Sequence, residues 1–209
     1  VRYQKKLIKY AGPPFEKAFL LSAGTEATEA ALKLMRMKGQ ENNKRRLGII
    51  CIEGNWHGRT MGAQMMSGNP SQNKWIGYHD PNIHHIRFPY PWVLNGKKGK
   101  DFLEIELEKI QQSGISLDED ICGVMLETFQ GWGAIFYPTD FVQAIERICK
   151  KYDILLAFDE MQSGFARTGE KFGYEHYGVK ADLLCCGKGI ASGFPLSAVI
   201  SSAEIMDLP

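Results

Sequence analysis

Five apolar runs in this chain are each followed within two residues by a polar or ionisable group, and the segments between them carry helical rather than hairpin spacing. The runs are Ala18-Phe19-Leu20-Leu21, Leu47 to Ile52, Ile121 to Leu126, Ile154 to Phe158 and Leu183 to Cys186. Short unbroken apolar runs without alternation are what strands buried on both faces look like, and strand-helix-strand repetition joins such strands in parallel. The pattern therefore predicts an α/β fold, a mainly parallel sheet flanked by helices. In an open sheet of that kind the ligand crevice lies at the carboxyl ends of the strands. Asp159 closes one run and Lys188, between Gly187 and Gly189, closely follows another, so the two are candidates for one site.

The turns after the other runs add to that edge. Ser22-Ala23-Gly24-Thr25-Glu26 opens a helix with Ala27, Ala30, Ala31 and Leu34 on its expected inner face. First-turn N–H groups lack intrahelical partners and the dipole is positive there. With Gly24 permitting close approach and Thr25 adding a hydroxyl, the turn can hold an anion, or it can be a plain connection. After the second run, Trp56, His57 and Arg59 offer an aromatic face, a polar ring and a fork for a carboxylate. The alternative at that position is Trp56 on the core, His57 satisfied in a loop and Arg59 in solvent. The third run ends on Glu127, followed by Gln130-Gly131-Trp132-Gly133 and a helix from near Thr139 with Phe141, Ile145, Ile148, Cys149 and Tyr152 inward.

Composition excludes several classes. With 209 residues, 44% hydrophobic and 23% charged, one core of ordinary size is expected. A net charge of +1 without a basic face argues against nucleic acid, and Lys44-Arg45-Arg46 reads as a solvated loop. No apolar run approaches the roughly 20 residues of a membrane span and the N-terminus lacks a signal-peptide centre, which points to the cytoplasm. Five cysteines with no C-x-x-C spacing read as core residues. His84 and His85, adjacent in an extended segment, point to opposite faces, which argues against a metal. Residues 67 to 99, rich in Pro and aromatics, read as a long loop at a site rim or a subunit contact. Residues 2 to 10 read as a short helix without chemistry. The chain starts on Val1 and stops at Asp207-Leu208-Pro209 with no terminal helix, as a fragment would.

A lysine amine and a strand-end carboxylate are the two groups that pyridoxal phosphate needs from a protein, one to bind its aldehyde and one to hold its ring nitrogen protonated. On five stretches the chain resembles the large domain of a class III (subgroup II, omega-type) pyridoxal-phosphate-dependent aminotransferase of fold type I. They are Ser22 to Ala27, Trp56 to Thr60, Glu127 to Gly131, Phe158 to Gly169, and Gly187-Lys188-Gly189 leading to Gly193-Phe194-Pro195-Leu196. The resemblance covers nearly all 209 residues. It implies that Lys188 is the Schiff-base lysine and proton carrier, Asp159 the partner of the pyridine nitrogen, and Gln162 a partner of the ring hydroxyl. Gly24 and Thr25 would hold the phosphate, Trp56 would stack on the ring, and Arg59 would meet a substrate carboxylate. Residues 1–209 would then be a partial cofactor-binding domain. The small C-terminal domain and a partner-subunit hydroxyl on the phosphate would lie beyond Pro209, the full-length protein would be a homodimer, and the fragment alone would be inactive.

One departure bears on substrates. Family members mostly read Gln-Gly-Glu-Gly where this chain has Gln130-Gly131-Trp132-Gly133, and Trp132 cannot form the ion pair that acid makes with a C-terminal arginine. A bulkier or less charged donor is expected, with Trp132 and Glu127 counted among the substrate-facing residues. Three other functions compete with transamination. A racemase, isomerase or decarboxylase would share Lys188 and Asp159, and a non-catalytic fragment would keep them idle. A nicotinamide dehydrogenase would need a third glycine where Phe136 stands.

Overall fold

A seven-stranded sheet in the order β1-β9-β8-β7-β4-β2-β3 forms the centre of the computed structural model, which describes residues 1–41 and 44–208. The strands are β1 (Lys17–Leu21), β2 (Gly48–Ile52), β3 (Ile83–Ile86), β4 (Ile121–Glu127), β7 (Leu155–Asp159), β8 (Leu183–Cys186) and β9 (Ser197–Ser201). The five from β3 to β8 pair in parallel, while β9 runs antiparallel to both β8 and β1. All residues of β2, β4, β7, β8 and β9 are buried, as strands covered on both faces must be.

Alternation along the strands divides the core in two. Ile50, Ile52, Leu156 and Phe158 join a cluster with α1 (Arg2–Ala11), α5 (Gly99–Gln112) and α6 (Thr139–Tyr152). Ile49, Cys51, Leu155 and Ala157 face the other way, onto α2 (Gly24–Gly39) and α3 (Met61–Met66). Two core layers on one sheet make the expected three-layer α/β arrangement, and all five cysteines are buried in it.

Several local expectations need correction. The buried face of α2 is Ala27, Thr28, Ala31, Leu32 and Met35, with Ala30 and Leu34 half-buried. Thr28 can sit inside because its hydroxyl donates to the carbonyl oxygens of Thr25 (2.9 Å) and His57 (2.7 Å). The stretch 67 to 99 is not one loop. It holds a 3₁₀ turn (Pro70–Ile76), the edge strand β3 and the one-turn α4 (Pro91–Leu94), and β3 was hidden because two of its four residues are histidines. A short hairpin, β5 (Phe129–Gln130) with β6 (Ile135–Phe136), interrupts the strand-helix rhythm; Ala134 at its turn has φ 51°. Arg46 is not solvated. It is 6% exposed and donates to the carbonyls of Tyr152 (2.7 Å) and Asp153 (3.2 Å), closing the C-terminal end of α6. A last turn, α7 (Ala203–Met206), is present where no helix was read, capped by the Ser202 hydroxyl; Pro209 lies outside the described residues. No described helix is long and apolar enough to cross a membrane.

Candidate active site

Parallel register carries the two candidate groups to one edge. Glu127 pairs across from Asp159, and Asp159 across from Cys185, with Lys188 three residues further on. Neighbouring strands lie about 4.8 Å apart, so Glu127, Asp159 and the Lys188 turn form a row at the carboxyl ends. Lys188 is exposed and has φ 40°, a left-handed conformation that is uncommon for a residue with a side chain. Its turn is held by a residue assigned no role from sequence: the hydroxyl of Tyr3 on α1 donates to the carbonyl of Ile190.

Met161 ties this row to the start of α2. A Cβ at Gly187 would lie 2.3 Å from the Met161 sulfur and one at Gly24 would lie 2.9 Å from it, so both positions require the space that glycine leaves. The Ala23 carbonyl, at the N-cap of α2, accepts from the hydroxyl of Ser197 on β9 (2.6 Å). Glu26 folds back to accept from the N–H groups of Ser22 (2.7 Å) and Ala23 (2.8 Å), leaving the N–H groups of Gly24 and Thr25 at the open helix end.

The Thr25 hydroxyl is already committed. Thr60 Oγ1 donates to Glu29 Oε1 (2.6 Å), so in the 2.6 Å contact between the two threonine hydroxyls Thr25 must be the donor. Toward an anion, the turn therefore presents backbone donors and no free hydroxyl hydrogen. Gly58 belongs to the same corner: a Cβ there would stand 2.3 Å from Thr25 Oγ1 and 2.9 Å from Thr25 Cα, with φ at 138°. Gly58→Ala is expected to destabilise the protein by about 3 kcal/mol, read as a fall in thermal midpoint, because backbone rather than a flexible tip must yield.

Asp159 is 3% exposed, and each oxygen has a donor: Oδ1 accepts from the Met161 N–H (3.0 Å) and Oδ2 lies 2.9 Å from His57 Nδ1. His57 thus lies against the Asp159 carboxylate, tying the loop after β2 to the end of β7. Glu160 has a separate task. It is fully buried and accepts from the Ser163 hydroxyl and the N–H groups of Gly173 and Tyr174, fixing the loop that follows β7. Gln162, half-buried, puts its carbonyl oxygen 2.5 Å from where a Cβ on Gly131 would be.

Glu127 accepts from the N–H of Trp56 (3.0 Å) and Gly131 (3.3 Å), joining the second strand's loop to the hairpin. Burial, and then the charge of Asp159, push its carboxyl up to about 7. The unfolded chain releases this proton near 4.5 while the folded protein keeps it until about 7. Folding is therefore penalised increasingly as pH rises through that window, to a constant total of about 3 kcal/mol above it. Glu127→Gln should raise the melting temperature of the cofactor-free protein at pH 8 and lose that advantage below pH 4.5. Parallel melting curves across the whole range would contradict the assignment.

Arg59 is exposed, with its guanidinium 5.1 Å from the Trp56 ring centroid. Trp132, at the hairpin turn, is 62% exposed. Beside that hairpin, Gln130 Nε2 donates to the hydroxyl of Tyr90, whose ring stacks on Trp92 at 4.6 Å. The rim stretch thus does reach the site edge, through its aromatic end.

The family model for class-III aminotransferases matches residues 1–209. Among curated proteins, the chain is 34% identical over 190 residues to an acetylornithine aminotransferase of Caldanaerobacter subterraneus, covering 90% of the chain and 44% of that protein. It is 31% identical over 206 residues to a succinylornithine transaminase of Salmonella paratyphi B, covering 98% and 45%. Among solved structures, a thermostable (S)-enantioselective omega-transaminase from Thermomicrobium roseum superimposes with TM-score 0.87 at 31% identity, over 99% of this chain and 47% of that one. The omega-transaminase of Pseudomonas jessenii in complex with PMP gives TM-score 0.87 at 26% identity, over 99% and 47%. The chain spans less than half the length of these relatives.

Proposed function

The chain belongs to the class-III aminotransferase family, and from that premise we propose that it is the cofactor-binding part of a pyridoxal-phosphate-dependent transaminase. The reaction moves an amino group from an amine or amino-acid donor to a 2-oxo acid. The observation that carries this reading is the shared edge: the turn of Lys188, the carboxylate of Asp159 and the open end of α2 are packed together through Met161.

The residues present fit pyridoxal phosphate. Asp159 has one protein donor on each oxygen and keeps acceptor capacity on both, which suits a ring N–H. Gly24 and Thr25 supply backbone donors for the phosphate. Trp56 offers its indole to the ring, and Gln162 an amide to the ring hydroxyl. When bound, the cofactor supplies an aldehyde that captures amines and a protonated ring that takes up negative charge from the neighbouring carbon. Lys188 would hold the cofactor, and its amine, once free, would serve as the base that accepts a proton from the donor carbon and as the acid that returns one, with the roles exchanged for the acceptor. Arg59 holds the carboxylate that survives the reaction, which favours transamination over decarboxylation. Glu127 fixes the Trp56 backbone against the hairpin that carries Trp132. Trp132 gives the donor side an apolar edge, suited to a donor of low charge.

Activity, the homodimer and the cytoplasmic setting are assigned to the full-length protein, because the chain spans less than half of its relatives. The test is borohydride reduction of full-length protein followed by peptide mapping. A pyridoxyl label on Lys188 is the expected result; bound cofactor with no label there would overturn the reading.

A further inference from the structure

Lys188 sits in a backbone conformation that a side chain disfavours: its φ of 40° is left-handed, and Ser192, just past the 3₁₀ turn Lys188–Ala191, has φ 51°. Such residues persist only where the surroundings over-determine them. The turn does part of this itself. Ile190 N–H donates to the Gly187 carbonyl (3.0 Å) and Phe194 N–H to the Ala191 carbonyl (3.1 Å), which leaves the Ile190 carbonyl to accept from elsewhere.

Two tyrosines on α1, a helix that reads as free of chemistry, supply the rest. Tyr3 and Tyr10 are two helical turns apart, so they share the face that carries the buried Leu7. The Tyr3 hydroxyl donates to the Ile190 carbonyl across 187 residues of sequence. Burial raises the Tyr3 phenol above its usual value, so the hydroxyl keeps the hydrogen it donates. Ile190 is 7% exposed and lies in the same core cluster as Leu7, which binds turn and helix into one body. Tyr10 acts through an intermediary. Its ring stacks on Phe165 with centroids 5.8 Å apart and planes at 18°, and Phe172 meets both rings edge-on at 5.7 Å. Phe165 and Ala166 are left-handed as well, with φ 58° and 63°. The Phe165 side chain lies against Gly189, where a Cβ would stand 3.7 Å from it. Two disfavoured segments therefore meet, residues 165–166 and the Lys188 turn, and α1 touches both.

We propose that Tyr3 is a positioning residue for Lys188: its hydroxyl, with the Tyr10–Phe165 stack beside it, holds the left-handed turn so that the amine is presented at the edge shared with Asp159. The inference rests on the pyridoxal-phosphate reading above, which gives Lys188 its chemistry. Without the hydroxyl the amine is chemically intact, but the turn relaxes toward the conformations that an ordinary side chain prefers. The loss falls on proton transfer, which is sensitive to misplacement of about 1 Å, rather than on donor binding.

The experiment compares full-length wild type with Y3F, which removes one hydroxyl and keeps the ring, and with Q4M. Gln4 Nε2 donates to the Ala18 carbonyl (2.9 Å), so Q4M deletes a hydrogen bond of the same kind from the next residue of α1 without touching the turn. In cofactor-free protein, amide hydrogen exchange at Ile190 and Phe194 should quicken about 3- to 10-fold in Y3F, the span that one hydrogen bond supports, and keep the wild-type rate in Q4M. In loaded protein, Y3F should lower kcat per bound cofactor by about 10-fold with KM little changed, and Q4M should leave both as they are. Counting per bound cofactor removes any loss of folded protein from the comparison. Wild-type exchange at the turn in Y3F overturns the proposal. So does faster exchange with an unchanged kcat, which would make Tyr3 a contact of the fold alone, and so does Q4M behaving like Y3F, which would assign the effect to α1 as a whole. Failure of the underlying reading is seen separately, as wild-type protein that binds cofactor without a label at Lys188, and that result removes both.

Discussion

Full-length protein with Lys188 replaced by alanine is expected to lose transamination by about 10⁴-fold or more, because under the proposed function one substitution removes both the covalent anchor and the proton carrier. Lys188→Arg should be nearly as damaging. It keeps the charge, but a guanidinium does not give up its proton and cannot act as the nucleophile. The fold should survive both changes, since Lys188 is exposed and its turn is held by neighbours, by Tyr3 at Ile190 and by Met161 at Gly187. The measurement is a single-turnover assay of amino transfer to a 2-oxo acid, alongside thermal melting of each variant. Added small primary amines provide a sharper check, since a free amine can replace the missing proton carrier and should restore part of the rate to the alanine variant alone. A Lys188→Ala variant with near-wild-type turnover would overturn the catalytic assignment.

What could be read from the sequence follows a physical division. Strands buried on both faces have to be continuous apolar runs, so the ends of β4, β7 and β8 were visible as Glu127, Asp159 and the Gly187-Lys188 turn. Parallel register then brings such ends together without further information. Resemblance to the family is what suggested a role for Gln162, and it favoured one of the two readings that the residues alone left open at Thr25 and Arg59. The contact between His57 and Asp159 was not visible, because it joins two loops through tertiary packing and no periodicity marks it. Ser197 and Tyr3 were missed for a related reason: each acts through a single side-chain bond to a distant carbonyl. The rotated face of α2 shows the limit of polarity as a guide, since Thr28 is buried once two carbonyls can take its hydrogen. Arg46 was misread in the same way, its charge suggesting solvent while its donors close a helix end.

The two acids at the end of β7 illustrate how neighbouring residues take different work. Glu160 is turned into the protein, and four protein donors use up its acceptor capacity, three on the loop through Tyr174 and one, the Thr128 hydroxyl, beyond the end of β4. Asp159 has two donors and faces the strand-end crevice. Only the second can hold a ligand hydrogen while staying buried, and that difference is one of hydrogen-bond accounting rather than of residue type.

Asp159→Asn is accordingly expected to lower kcat by about 10²- to 10³-fold, or about 3 to 4 kcal/mol of transition-state stabilisation, while leaving cofactor uptake comparatively intact. An amide in that place is nearly isosteric and can still accept from the Met161 N–H. It carries no charge, however, so it does not keep a ring nitrogen protonated, and negative charge developing on the donor carbon loses its sink. The asymmetry between rate and binding is the signature, because the proposed phosphate donors and the proposed Lys188 anchor lie elsewhere and remain. Cofactor affinity by fluorescence titration and kcat from the same preparation measure both sides. Equal losses in the two would mean that Asp159 merely holds the site together. A rate unchanged with the fold intact would remove it from the mechanism. Glu127→Gln supplies the control at the adjacent strand end: it removes a carboxyl whose proton is already retained up to about pH 7, so near neutrality its kcat should change far less than that of Asp159→Asn.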